Sequence, residues 1–293
     1  MGRRRWGAKA RLLAARPRAP LSQHAVTTRF DRDTEVRKLE ATAGIAAYEG
    51  RIDRGWWVVR GPNGGYVAAL VLRALGNSVD ADRAPRSLTV HYTAPPVEGP
   101  VRIETRVERV GRSLSTVSGR VVQGDRVLAL ALGAFSKPRA GPSFDDTTMP
   151  GVAPPEACSS FPNRIPMHDR YDYRFALGSP PGSGEGRALI GGWIRSAEPR
   201  VADAALVAAF TDAWPPACFA WAQQPDGLGP VPTVDLTVHF RRDLPLANAQ
   251  PDDFYLAVFR SRFAEQGFVE EDGEVWSRGG LLLAQSRQLA VIG

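Results

Sequence analysis

Asp212, Thr233 and Gln288 are polar residues set among apolar or strand-like neighbours, and together they could do acid–base chemistry on a bound water. A carboxylate can take a proton from water, while an amide and a hydroxyl orient that water and lend hydrogen bonds. A well-placed base contributes about 10²–10⁴-fold in rate. An internal repeat singles these three out. Leu88-Thr89-Val90-His91-Tyr92 returns 148 residues later as Leu236-Thr237-Val238-His239-Phe240. Counting along the repeat, Asp212 stands where the first copy has Leu72, Thr233 where it has Pro85, and Gln288 where it has Ala134. None of those three counterparts has a side chain that hydrogen-bonds.

The elements that must position them follow one plan used twice. In the first copy a short strand over 56–59 runs into the turn Gly61-Pro62-Asn63-Gly64-Gly65, which opens a helix over 66–75. That helix is apolar nearly all round, as a helix buried on most sides must be. Strands follow over 87–92, 101–110, 113–123 and 126–135, with Gly124-Asp125 as a tight turn. In the second copy, strand-like 171–175 and 192–195 precede a helix over 203–213, with Asp203 as N-cap and Pro215-Pro216 as its stop. Strands over 233–241, 254–263, 268–277 and 281–292 complete it. One buried helix wrapped by a curved antiparallel sheet, twice over, predicts an α+β double hotdog with the two sheets joined. The expected organisation is a basic arm (1–25), an N-terminal hotdog (26–138), a proline-rich linker (139–165) and a C-terminal hotdog (166–293) that carries the three polar residues.

Two local expectations bear on the chemistry. Asp212 near a helix C-terminus meets the negative end of the helix dipole, an opposition of roughly 0.3–1 kcal/mol that raises its pKa toward the range of a general base. Strict alternation would put Thr233 on the strand face away from Val234 and Leu236, and so away from Asp212. A twist or bulge at the strand entry after Pro232 would turn it back. Gly64 and Gly65 open the first helix, and two readings stand for them. They form a tight turn only, or they expose backbone N–H groups that bind a substrate's carbonyl oxygen.

Composition excludes several classes. The net charge is +6 and the pI near 9.7. Seven of the basic residues fall within 1–18, however, and no acid occurs before Asp31. The rest of the chain is near neutral, so no nucleic-acid partner is expected. The arm itself reads as disordered. It is an extension from an early start codon, a weakly anion-binding arm or an organelle-type presequence. The longest apolar run, 127–135, is far short of the roughly 20 residues that span a membrane, and a cytoplasmic protein is expected. Cys158 and Cys218 offer neither a disulfide framework nor metal spacing, and no metal or cofactor is expected. His24, His91, His168 and His239 are scattered, and His91 and His239 occupy equivalent positions, which favours a structural role. That weakens a hotdog hydratase, which needs an acid–histidine pair. The sequence has no Gly-x-Ser-x-Gly elbow, phosphate loop or dinucleotide fingerprint.

Gly61-Pro62-Asn63-Gly64-Gly65-Tyr66, Arg86-Ser87-Leu88-Thr89-Val90-His91-Tyr92, Gly111-Arg112-Ser113, Phe210-Thr211-Asp212, Pro232-Thr233-Val234-Asp235 and the strand ending near Gln288 resemble the acyl-CoA thioesterase II (TesB-like) family of double-hotdog thioesterases, over about residues 26–293. The resemblance implies an acyl-CoA substrate and a water polarised by Asp212, Thr233 and Gln288, with no covalent intermediate. Ala213-Trp214-Pro215-Pro216 replaces a longer apolar loop after the Asp. A homodimer is expected. The alternative of another class is a non-catalytic acyl-CoA-binding shell, which would have no reason to keep Asp212 with Gln288 in one half.

Overall fold

The computed structural model describes residues 27–162, 164–184, 186–223 and 228–293, so the expected arm lies outside the described residues. The first half holds α1 (Arg29–Asp33), β1 (Arg37–Thr42), β2 (Ile45–Ile52), α2 (Gly64–Gly76), β3 (Ala84–Tyr92), β4 (Gly99–Val110), β5 (Leu114–Gln123) and β6 (Arg126–Ser136). The second holds β7 (Ser159–Ser160), β8 (Tyr171–Gly178), β9 (Leu189–Ser196), α3 (Ala204–Phe210), α4 (Cys218–Trp221), β10 (Thr233–Phe240), β11 (Tyr255–Arg260), β12 (Ala264–Glu265), β13 (Phe268–Ser277) and β14 (Leu282–Val291).

The strands form one 14-stranded sheet in the order β1-β2-β4-β5-β6-β3-β10-β14-β13-β11-β9-β8-β7, with β12 paired to β13. The repeated pentapeptides make its centre. Thr89 of β3 lies opposite Thr237 of β10, with Val90 opposite Leu236 and Leu88 opposite Val238. Exchanging the copies maps these pairs onto one another, so a local twofold passes between Thr89 and Thr237, whose hydroxyls are 3.0 Å apart. Pairing the copies here covers an edge that each would otherwise leave open. The result is an α+β double hotdog.

Register corrects one correspondence. Leu88 on β3 faces Gly133 of β6, whereas Leu236 on β10 faces Gln288 of β14. The counterpart of Gln288 is therefore Gly133, not Ala134. Both central strands also carry a bulge at the same place, between Pro85 and Ser87 and between Thr233 and Asp235.

Both helices lie in the core. From Gly65 to Leu72 every residue of α2 is buried, as is α3 from Ala205 to Phe210. Asn63 caps α2 by accepting from Tyr66 N–H, and Asp203 caps α3 by accepting from Leu206 N–H. The second helix ends earlier than expected. Thr211 is its C-cap and its hydroxyl donates to Ala208 O at 2.7 Å, so the helix stops before the prolines are reached. The two helices pack so closely that a Cβ on Gly65 would stand 2.6 Å from the carbonyl oxygen of Ala209.

Three further differences have local causes. The strand expected over 56–59 is a 3-10 turn, Arg54–Trp56, followed by a single bridge from Trp57 to Pro62. The Trp56 ring stacks on Tyr66 at 4.8 Å and its Nε1 donates to Asp33, so aromatic docking overrides strand propensity. Unanticipated β1 is exposed along its whole length, so its sequence carries no alternation to read. The linker is partly structured: Met149 and Val152 pack on Trp193, Leu256, Val258 and Trp276, and Trp193 Nε1 donates to Ala153 O. This covers the sheet face turned away from the helices. Among the described residues no helix is long and apolar enough to cross a membrane.

Gly65→Ala is expected to overpack the helix crossing, at a cost of about 1–3 kcal/mol. That corresponds to a fall in melting temperature of roughly 2–5 °C for a chain of this size, read by differential scanning calorimetry. An unchanged melting temperature would show that the crossing relaxes freely.

Candidate active site

Asp212 lies two residues beyond α3, where its backbone N–H still bonds to Ala209 O at 3.3 Å. Its side chain reaches the other helix. Oδ2 accepts from Gly65 N–H and from Asn63 Nδ2, each at 2.9 Å. The same Asn63 amide nitrogen donates to the Asp212 backbone carbonyl. One asparagine thus caps α2 through its oxygen and clamps Asp212 through its nitrogen. Tyr92 closes another side by donating its hydroxyl to Gly64 O at 2.7 Å.

Burial pushes the Asp212 carboxyl up from its ordinary value to about 6, while Gly65 N–H, the Gln288 amide, Gly64 N–H and Asn63 pull it down. The cause is thus not the one expected from the α3 dipole. The carboxylate instead sits on the N-terminus of α2, where the local field favours a negative charge, and desolvation outweighs that help. Among the described residues no cation is one of the main influences on it.

Thr233 and Gln288 are together, 3.0 Å apart, with the threonine hydroxyl donating to Gln288 Oε1. The bulge between Thr233 and Asp235 makes this possible. It turns Thr233 onto the inner face that strict alternation would deny it, and the tension in the strand pattern is resolved as anticipated. Gln288 is 7% exposed and lies opposite Leu236, a core residue, so its amide points inward. The Gln288 amide also lowers the pKa of the Asp212 carboxyl, so all three share one electrostatic neighbourhood.

The glycine pair divides. Gly65 N–H is committed to Asp212, so its amide holds the carboxylate and is not free for a carbonyl oxygen. Gly64 keeps the approach open: a Cβ there would stand 3.0 Å from Asp212 Oδ2 and 3.2 Å from the Tyr92 hydroxyl. His91 and His239 are both exposed and point to the opposite face of the central strands. Asn63 and Tyr92 were missed from sequence. The signal for Asn63 was its place just before a Gly-Gly helix start, which reads as a cap and conceals the second bond.

Two family models match the chain. One describes an acyl-CoA thioesterase N-terminal domain over residues 53–136, the other an acyl-CoA thioesterase C-terminal domain over residues 145–292, half of the chain by itself. The chain belongs to the acyl-CoA thioesterase family. An uncharacterised protein of Mycobacterium tuberculosis is 26% identical to this family member over 292 residues, covering 88% of this chain and 96% of the relative. A hot dog protein of unknown function from Alicyclobacillus acidocaldarius superposes with a TM-score of 0.82 at 28% identity, covering 92% of this chain and 99% of the other. The acyl-CoA thioesterase II TesB2 of Mycobacterium marinum gives 0.72 at 21% identity, with 90% and 98% covered, a likeness of fold.

Asn63→Ala removes a helix cap worth about 1 kcal/mol and one of the donors that hold Asp212 ionised. Lower thermal stability is expected, together with an Asp212 pKa above its wild-type value, followed by the carboxyl carbon resonance. A pKa that stays put or falls would contradict the clamp.

Proposed function

We propose that this protein hydrolyses an acyl-CoA thioester to a free carboxylic acid and CoA, with Asp212 as general base. The observation that carries this reading is a single inward-facing cluster. A buried carboxyl pushed up to about 6, with no ion-pair partner among the described residues, lies within the influence of the Gln288 amide, which is hydrogen-bonded to Thr233.

In this reading Asp212 takes a proton from a water that Gln288 and Thr233 orient, and the oxygen attacks the thioester carbonyl. The tetrahedral intermediate collapses by breaking the carbon–sulfur bond, and the proton held on Asp212 passes to the departing thiolate. A pKa near 6 leaves Asp212 mostly ionised at neutral pH and still basic enough to accept the proton, the compromise general-base catalysis favours. Gly64, having no side chain, leaves room for the acyl carbonyl beside the carboxylate, and Gly65 and Asn63 hold the base still. The work is divided between the two hotdog units, about 26–138 and 166–293: one supplies the base, threonine and glutamine, and the other supplies the helix end that grips the base.

Asp212→Asn is expected to lower kcat by roughly 10²-fold or more with KM little changed, since the lost interaction acts mainly in the transition state. Thr233→Ala and Gln288→Ala lose less, and their losses do not add to that of Asp212→Asn, because all act on one water. Wild-type kcat/KM should fall as pH drops through about 6, because protonating Asp212 removes the base. Thiol release from a panel of acyl-CoA esters reads all of this. Full turnover by Asp212→Asn would refute the assignment, and tight acyl-CoA binding with no thiol release by the wild type would mark a binding shell.

A further inference from the structure

Glu271 is a buried carboxyl, 6% exposed, that the mechanism above does not use. It lies on β13 directly opposite Gln288 of β14, and its Oε1 accepts from Gln288 Nε2 at 2.7 Å. Its Oε2 accepts from the backbone N–H of Ala217, the residue that opens α4. In the first copy the matching cross-strand pair is Val117 opposite Gly133. The fold is therefore satisfied there by a valine and a glycine, and the second copy alone has a glutamate and a glutamine. A carboxyl is far costlier to take out of water than an aliphatic side chain at the same place. Packing does not account for Glu271.

Its two hydrogen bonds suggest its work. A glutamine amide can sit in either of two orientations related by a flip, and the Thr233 hydroxyl, which donates or accepts, does not choose between them. In the structure Glu271 Oε1 meets Gln288 Nε2 while Ala217 N–H pins the carboxyl through Oε2, so Glu271 selects the orientation with Nε2 toward itself and Oε1 toward Thr233. The same amide nitrogen can then also serve Asp212. We propose that Glu271 is a positioning residue that sets the Gln288 amide orientation and so holds the water-activating cluster in register. This rests on the reading of Asp212 as the base.

Burial opposes the ionised form of Glu271, and the two donors favour it. Burial pushes Glu271 up to about 8; Ala217 N–H and Gln288 pull it down, and the charges of Asp212 and Glu270 add to the rise. Cys218 on α4 also faces it. Around Asp212 stand Tyr92, Tyr171 and Tyr173, each raised by burial and none ionised near neutral pH.

The test uses Glu271→Val, which installs the residue the first copy already tolerates, and Glu271→Gln, which offers one acceptor to two donors. Thiol release gives kcat and KM, calorimetry gives the melting temperature, and the Asp212 carboxyl carbon resonance gives its titration. Glu271→Val should lower kcat about tenfold with KM within about twofold and no loss of melting temperature, as expected of a misplaced catalytic group. Gln288→Ala should then cost little more in that background. The Asp212 pKa should rise by about half a unit or more as the Gln288 donation is lost, with Glu271→Gln in between. Wild-type kcat with an unmoved Asp212 titration would overturn the proposal. So would parallel falls in kcat and melting temperature, or a downward shift of Asp212, which would mark Glu271 as a mere charged neighbour. Were the wild type to release no thiol, the thioesterase reading would fail, and the Asp212 titration would still decide the role of Glu271.

Discussion

The bond from Gly65 N–H to the Asp212 carboxylate joins a helix end in one half of the chain to an acid in the other. Much of the site depends on it. It forms only because the two buried helices pack at a distance that excludes a Cβ at residue 65. That distance in turn depends on the joined sheet, which the antiparallel pairing of β3 with β10 centres on Thr89 and Thr237. The same contact removes the carboxylate from water, raising its pKa, and supplies amide donors that keep the rise moderate.

The opposite end of the helix pair shows what the fold does with an acid when chemistry is not the outcome. There Asp203 caps α3 near the last turn of α2, much as Asp212 faces the first turn of α2. Asp203 is held at 2.7 Å by Arg200, which also bonds Asp31 at 2.9 Å, while Arg73 lies 3.2 Å from Asp31. Burial would raise the Asp203 pKa, but Arg200 and Arg73 hold it below the ordinary value. Two related junctions thus produce a neutralised cap and a carboxyl without a cation. Paired charges of this kind fix geometry, whereas the unpaired one is available to exchange a proton.

The fold was legible because its central feature is local and repeated: a pentapeptide that pairs with its own copy, and two apolar runs that only a doubly covered helix explains. What stayed hidden follows from physics. Strand β1 has no buried face and hence no pattern, and Trp56 leaves the strand its propensity predicts because its indole needs both a stacking partner and an acceptor. Asp212, Thr233 and Gln288 were legible as polar residues present in one copy, and the bulge that brings Thr233 inward could be anticipated from the alternation it breaks. A one-residue error in the repeat alignment put Ala134 in place of Gly133, which only strand register could correct. Glu271 escaped for a related reason. In a strand with acids on both sides it reads as a solvated face, until the pairing places it opposite Gln288 and over the position of Val117.

The account rests on Asp212 removing a proton from water instead of attacking the thioester itself. A single turnover with excess enzyme in ¹⁸O-water, followed by mass analysis of the released acid and of the peptide containing Asp212, separates the two. General-base catalysis predicts one ¹⁸O in the carboxylic acid from the first turnover and none in Asp212. Label in the Asp212 peptide, with unlabelled acid from the first turnover, would mean that the carboxylate forms an anhydride with the acyl group and would contradict the account.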